Sequence, residues 1–317
     1  MKIPKAGNIL IPEISEKIEK KQKELNLRPE TSPKEFLRIH KLGRHRYFSP
    51  CLDKKGEKLA FYTRVHFNLD AKRKIIKEIN FLERLKKSNL KIKKIVPEII
   101  GFGFEKDFEW FERKYPLGIP LGESRDLKQK LRIGLVPKLI KIIIEISDIP
   151  PSFFPKIKKF KVENYLAKSA YQDLIEKGII EKNLSAAIQG FIKKNLPLLK
   201  KEDKYFCHGD LNLGNVLSGE KRVWIIDWEL IHLNNFAYDI GYLWTHLWAT
   251  ERVFRQKLIL SFLKRLPPQK IKKFKIFFPI VTSYLAIGGI KHGVKKRKIF
   301  YSNLFKNCLN FEKLIKL

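Results

Sequence analysis

In the second half of the chain, His208-Gly209-Asp210-Leu211-Asn212-Leu213-Gly214-Asn215 is followed by an apolar stretch that ends in Asp227-Trp228-Glu229. Three of these residues have complementary chemistry. Asp210 is a carboxylate able to receive a proton from a hydroxyl. Asn215 offers a neutral oxygen and Asp227 a charged one, and magnesium is commonly held by one or two such groups together with phosphate oxygens and water. A base together with a magnesium site suits phosphoryl transfer, where positioning and charge neutralisation matter more than covalent participation. An H-x-D-x-x-x-x-N spacing arises by accident in on the order of one per hundred chains of this length. A second carboxylate at the end of a strand makes the combination rarer.

Neighbouring polar residues take supporting roles. His208 is expected to orient the loop by hydrogen bonding. Asp239, in Ala237-Tyr238-Asp239-Ile240-Gly241, opens a helix and is expected to cap it while anchoring the loop. Glu229 either lies near a second metal or faces a substrate pocket.

These groups need elements to position them. The spacing of Ile14, Ile18 and Leu25 predicts a lysine-rich surface helix over 12–27, ended by the prolines at 29 and 33. Strands are predicted at 36–42, 46–52, 59–67, 96–104 and 108–115. Asp70 is expected to cap a helix running to about residue 85, with Ile75, Ile79, Leu82 and Leu85 on one face. Pro116-Leu117-Gly118-Ile119-Pro120 reads as a linker. Beyond it the pattern turns helical, at 127–146, 162–177, 184–198, 238–248, 252–263, 270–287 and 299–314. Short strands at 205–207, 216–217 and 223–226 flank the opening motif. The expected organisation is an N-terminal helical extension (1–35), a sheet with one helix (36–115), and a helical lobe (116–317) carrying the loop 208–215 and Asp227.

The 317 residues include 66 Lys and Arg against 33 Asp and Glu, a net charge of +33. Such a field favours anionic partners, and weak association of the basic surface with anionic membrane or nucleic acid is compatible with it. Lys and Ile are jointly abundant along most of the chain, as A/T-biased coding would yield, so the charge is read chiefly as composition. Cys51, Cys207 and Cys308 are far apart and odd in number, which argues against a disulfide framework and fits a reducing cytoplasm. The N-terminus lacks the apolar core of a signal peptide. The weakly polar run 276–290 reads as too short to span a membrane and carries Pro279, Thr282 and Ser283. A cytoplasmic protein with no obligate protein partner is expected.

Residues 208–217, with 226–229 and 238–241, resemble the aminoglycoside phosphotransferase and choline kinase superfamily of small-molecule kinases. Its members carry an H-G-D-x-x-x-x-N loop, an I-D-W/F-E element and a downstream D-I/L-A/G. The resemblance is specific over 205–244 and architectural elsewhere. It implies an α+β, two-lobed protein-kinase-like fold, with a small antiparallel-sheet N-lobe and a mainly helical C-lobe. It also implies that Asp210 is the catalytic base and that Asn215 and Asp227 hold magnesium. In the family a strand Lys contacts the nucleotide phosphates and pairs with a helix Glu. Arg64, in Phe61-Tyr62-Thr63-Arg64-Val65, and Glu78, in Lys77-Glu78-Ile79, stand at those positions and are the candidate nucleotide-binding residues. Arg for Lys puts a planar fork where a point charge is usual. The phosphate-covering loop His40-Lys41-Leu42-Gly43-Arg44-His45-Arg46 has a single glycine, and 112–115 is where the family's hinge takes the adenine ring.

The function implied is a Mg-dependent phosphotransferase that moves the γ-phosphate of a nucleotide, ATP or GTP, to the alcohol group of a small molecule. From 252 to 317 there are seventeen Lys or Arg and a single acid, Glu312. In the resembling enzymes this lobe builds much of the acceptor site, so a neutral or anionic acceptor is expected rather than a polycationic aminoglycoside. Trp228, Trp244 and Trp248 are read as core, with a cation–π acceptor pocket as the other reading. The alternative function is a catalytically weak pseudokinase or nucleotide-binding scaffold, motivated by Arg64 and the thin glycine loop. A protein kinase ranks last, because Gly209 replaces the regulatory Arg and no long activation segment precedes Asp239.

Overall fold

The computed structural model describes residues 10–33, 46–65, 69–122, 131–155, 157–220, 222–292 and 295–317. The chain forms two compact units. One comprises Met1–Ile119 with Leu217–Glu229, and the other Pro120–Val216 with Leu230–Leu317.

The first unit is built on a five-stranded antiparallel sheet of β1 (Arg28–Pro29), β2 (Arg46–Leu52), β3 (Lys58–Val65), β4 (Ile99–Phe104) and β5 (Phe108–Lys114), in the order β1-β2-β3-β5-β4. Central β3 is buried at every position but Lys58 and Tyr62, because both of its faces are covered. Its odd-numbered residues Leu59, Phe61 and Val65 share a core with Tyr47, Phe108 and Trp110. The Phe61 and Trp110 rings stack at 5.9 Å. Ile14 and Ile18 of the helix Leu10–Glu24 close that core. Gln22, from the same helix, donates to the Tyr47 hydroxyl at 3.1 Å.

The N-terminal helix is thus a covering layer of the sheet, although its sequence reads as a surface extension. Two isoleucines a turn apart suffice as its buried face, because the aromatic residues opposite supply most of the apolar area. The two-residue β1 was also unforeseen. Pro29 sits there on an edge strand, where it need not donate to a ladder. The strand expected at 36–42 and all of the glycine loop 40–46 except Arg46, which opens β2, lie outside the described residues.

The register sets which side chains share the opposite face. Tyr62 pairs with Phe111, Arg64 with Glu109 and Ala60 with Arg113. Directly opposed residues project to the same side, so Arg64, Glu109 and Arg113 lie together. All three are buried. The helix Leu69–Lys86 buries Ile75, Ile79, Leu82 and Leu85, the predicted face. It begins at Leu69, so Asp70 is inside its first turn rather than at the cap. The segment Leu217–Glu229, expected in the helical lobe, groups with this sheet unit and brings Asp227 into it.

The second unit is mainly helical. Its central helix, Pro268–His292, buries Phe274, Phe277, Phe278, Ile280 and Val281. Among the described residues it is the one helix long and apolar enough to cross a membrane, over Pro268–Ile290, and 67% of its most apolar stretch is buried within the protein. This stretch is longer than the weakly polar run 276–290 read from the sequence, and Pro279 lies inside the helix, as in the helix predicted over 270–287. Gly241 of the helix Tyr238–His246 lies against it, where a Cβ would come within 2.8 Å of Val281.

Three predicted helices begin late or divide. The first is Val136–Ser147, opened by Pro137 in its first turn. The second splits at Ala167 (φ 39°) into the turn Val162–Leu166 and the helix Lys168–Glu176. The last becomes Lys295–Asn307 and Phe311–Leu314, the latter capped by Asn310. A short antiparallel pair, Tyr205–Cys207 with His232–Asn234, completes the unit; its second strand was not predicted. Cys51, Cys207 and Cys308 are free and buried.

Candidate active site

In the helical unit, the strand Tyr205–Cys207 delivers the chain to His208 and then to Gly209, whose φ is +85°. That left-handed turn and the tight packing beneath it both require glycine, since a Cβ there would stand 2.3 Å from the Leu230 carbonyl oxygen. This explains why the position of the protein-kinase Arg is empty of a side chain.

The turn is held from below by Asp239. Its carboxylate accepts the main-chain N–H groups of His208 (2.8 Å) and Gly209 (3.1 Å). Asp239 therefore anchors the loop as expected but does not cap its helix, where Ala237 is the N-cap without a side-chain bond. Burial pushes its carboxyl up to about 7, against the opposing pull of the two N–H donors. His208 is completely buried and accepts from the Asp210 N–H through Nδ1 (3.3 Å), an orienting role.

Asp210 is gripped at both carboxylate oxygens. Oδ1 accepts from Asn212 Nδ2 (3.0 Å) and from the Tyr242 hydroxyl (2.5 Å). Oδ2 accepts from Asn215 Nδ2 (3.0 Å), which also donates to the Asp210 carbonyl (2.8 Å). Asn212 in turn caps the turn Leu213–Asn215, its Oδ1 accepting from Gly214 and Asn215. Sequence reasoning missed Asn212 and Tyr242. Tyr242 follows Asp239 by three residues, so both project from one face of their helix toward the loop. That spacing was the available signal. Tyr242 also stacks on His246 at 4.4 Å, and burial followed by the Asp210 charge raises its phenol well above the ordinary value.

The sheet unit carries the second set. Asp227 has φ +68°, a left-handed conformation that Asp tolerates better than most residues. Trp228 next to it is fully buried, stacked on Phe81 at 4.8 Å, with Nε1 donating to the Ile225 carbonyl at 3.2 Å. Trp228 is core, as are Trp244 and Trp248 in the helical unit. Glu78 accepts the Trp228 N–H at 3.1 Å and so secures the backbone beside Asp227. Burial, then the Asp227 charge, drives the Glu78 carboxyl upward, while Arg113 pulls it down.

Arg64 has a partner that the sequence reading did not assign to it. Arg64 Nη2 lies 2.6 Å from Glu229 Oε2, in an ion pair buried on both sides, while Glu78 meets the Trp228 backbone and the field of Arg113. A guanidinium reaches farther than an ammonium and is less strongly hydrated, so it suits a buried acid across the face. Arg113 was assigned no role in sequence. Burial lowers its pKa, and Glu78 and then Asp227 oppose that shift.

The donor set suits magnesium. Both Asn215 amide hydrogens are taken by Asp210, and neither bond uses Oδ1. The Asn215 amide oxygen in the helical unit and the Asp227 carboxylate in the sheet unit are each hard oxygen donors of the kind magnesium takes together with phosphate oxygens and water. No cluster of three or more His, Cys, Asp or Glu side chains suited to a metal occurs among the described residues.

A small antiparallel sheet carrying the helices Leu10–Glu24 and Leu69–Lys86, followed by a mainly helical unit with this loop, defines an α+β fold of the protein-kinase-like class. The sequence pattern of the phosphotransferase enzyme family matches residues 53–262, more than half of the chain, and the protein belongs to that family. No curated protein matches it by sequence. Among solved structures it is similar to the GDP complex of wild-type aminoglycoside 2'-phosphotransferase-IIIa, with a TM-score of 0.60 at 14% identity over 97% of this chain and 99% of that one. Choline kinase from Cryptosporidium parvum Iowa II gives 0.55 at 17% identity, covering 95% of each chain. Amicoumacin kinase hAmiN, in complex with AMP-PNP, Ca2+ and Ami, gives 0.54 at 12% identity, covering 92% of each chain. At these identities the likeness is one of fold.

Proposed function

We propose that the protein transfers the γ-phosphoryl group of a nucleoside triphosphate, ATP or GTP, to the hydroxyl of a small molecule that is neutral or anionic. The observation that carries this reading is the grip on Asp210. Three side-chain donors fix a carboxylate whose neighbour Asn215 keeps an oxygen for a cation. Family membership supports the reaction class.

In this reading Asp210 aligns the acceptor hydroxyl and takes its proton as the bond to phosphorus forms. Asn212, Asn215 and Tyr242 hold the carboxylate in one orientation, so little reorganisation is needed during transfer. Asp239 holds the loop, and His208 sets its entry. Asn215 and Asp227 would hold magnesium, which when bound neutralises phosphate charge. Arg64, with Glu229 against one side of its fork, serves the nucleotide phosphates, and Glu78 fixes the backbone next to Asp227. The reading draws on residues of both units.

The acceptor is argued from charge. Seventeen Lys or Arg against one acid over 252–317 repel a polycation and favour a neutral or anionic alcohol. The test is a screen of hydroxyl compounds, aminoglycosides included, for Mg-dependent nucleotide consumption. Turnover with aminoglycosides alone would overturn the acceptor assignment.

The Arg64–Glu229 pair gives the scaffold alternative its support, because it engages the cation otherwise offered to phosphate. Nucleotide calorimetry with and without Mg2+ separates the two. Absence of Mg-dependent binding would leave only the scaffold.

A further inference from the structure

Within the sheet unit a cavity of 190 Å3 opens between the end of the helix Leu69–Lys86, the turn Lys91–Ile95 with the residues leading into β4, the end of β5, and the strand Val223–Ile225. Its floor is apolar, made by Leu82, Leu85, Val96 and Pro97 with Trp224 as a wall. Its rim is cationic. Lys86, Lys93, Lys94, Lys114 and Arg222 line it, and Glu98 is its one acid. Cations outnumber acids two to one in the whole sequence, 66 to 33. Around this cavity five of the six charged residues are cationic, in keeping with that excess, and what distinguishes the rim is how its cations are held.

The rim is also organised. Glu98 is shared by Lys114 (2.9 Å) and Lys86 (3.9 Å), so it cannot neutralise the rest. Lys86 is tied by a bond to the Ile99 carbonyl (2.9 Å), and Lys93 donates to the Lys86 and Ser88 carbonyls at the end of the helix. Arg222 is held over the Trp224 ring, its guanidinium 5.0 Å from the centroid. Cations held in this way lose little freedom on meeting an anion, and the apolar floor beside them offers contact to an apolar body.

We propose that this cavity is a second binding site, for a small amphiphilic anion: a ring or branched apolar body bearing one phosphate or carboxylate. The class follows from the walls. The apolar floor gives nothing to an inorganic ion, and the cationic rim gives little to a neutral hydrocarbon. The volume is below the roughly 300–1,000 Å3 typical of drug-sized ligands, which restricts the occupant to a single ring or short chain. Lys114 is shared with the segment 112–115, but none of Arg64, Glu78, Asp210, Asn215 and Asp227 lines the cavity, so the site stands or falls separately from their roles.

The test is calorimetry on the full chain with phenyl phosphate as the probe, and with phenol and inorganic phosphate as its two halves. Saturable binding of phenyl phosphate at a Kd below about 1 mM is expected, with each half at least roughly tenfold weaker. The double variant Lys94→Glu/Arg222→Glu changes two exposed residues and should weaken binding by roughly tenfold or more at an unchanged melting temperature. Asp227→Asn should leave it intact. Equal binding of inorganic phosphate, indifference to the charge reversal, or loss in Asp227→Asn would each overturn the proposal. The last of these outcomes would place the probe at the phosphoryl-transfer residues instead.

Discussion

Asn215 donates both of its amide hydrogens to Asp210, one to the main-chain carbonyl at 2.8 Å and one to carboxylate Oδ2 at 3.0 Å. The pair is five residues apart in sequence and is closed by the turn Leu213–Asn215, so the proposed base and a proposed metal ligand are set by one local structure. Asp210→Asn keeps the shape and removes the proton acceptor. Turnover should fall by about 10²–10⁴-fold, with nucleotide affinity nearly unchanged by calorimetry. A variant that keeps most of its activity would show that another group is the base.

Asp227→Asn isolates charge from backbone conformation, because Asn also tolerates the left-handed region that φ +68° requires. The Mg2+ concentration needed for half-maximal nucleotide binding should rise roughly tenfold or more. An unchanged magnesium titration would remove Asp227 from the metal site.

Gly209→Ala should be costly and Gly178→Ala much less so. Both glycines have positive φ, but a Cβ at Gly209 would meet the Leu230 carbonyl oxygen at 2.3 Å, whereas nothing lies within 4 Å at Gly178. The backbone term is about 1–2 kcal/mol at either position, and only Gly209 adds the collision. Thermal denaturation of the two variants gives the comparison, and equal losses would contradict the packing described.

The pH dependence of stability should carry the signature of Asp239. Its folded carboxyl is raised by burial from 3.8 to about 7. A raised value means that the protonated form is favoured by folding, so its stabilisation is complete below about pH 4 and is lost as pH climbs through about 7. Asp239→Asn does not titrate. The stability of the natural protein relative to this variant should therefore decline between about pH 4 and 7, by at most ~1.4 kcal/mol per pH unit. Denaturant unfolding at several pH values measures it, and a flat difference would refute the burial effect. Turnover should also drop in the variant, since an amide must turn a donor toward the His208 or Gly209 N–H.

Arg64 and Glu229 should be coupled. Arg64→Met strands a buried carboxylate and should cost about 3–5 kcal/mol, whereas the double variant Arg64→Met/Glu229→Met should recover most of that loss. A double-mutant cycle reads the interaction directly, and additive losses would deny it.

Much of the site was legible because its determinants are local. Asp210 and Asn215 are fixed by a turn of a few residues, and the helix carrying Glu78 announces itself by the spacing of Ile75, Ile79, Leu82 and Leu85. Apolar periodicity likewise marked β2, β3, β4 and β5. What escaped was non-local. Tyr242 reaches Asp210 across 32 positions, and Trp228 meets Glu78 across 150. The Trp228–Glu78 contact leaves no mark in the sequence, and the Tyr242 contact leaves only the three-residue spacing from Asp239.

The sequence by itself determined the phosphotransferase class and pointed to the loop proposed to carry the base, since spacing and side-chain chemistry suffice for both. Only the tertiary structure decided partners and placement. It set Glu229 against Arg64, left the helix of Asp239 without a side-chain cap, made the N-terminal helix a cover for the sheet, and gathered a cationic rim around an apolar cavity. The physical reason is the same in each case. A buried charge takes the partner that chain packing brings within reach, and strand register and helix contact set that reach.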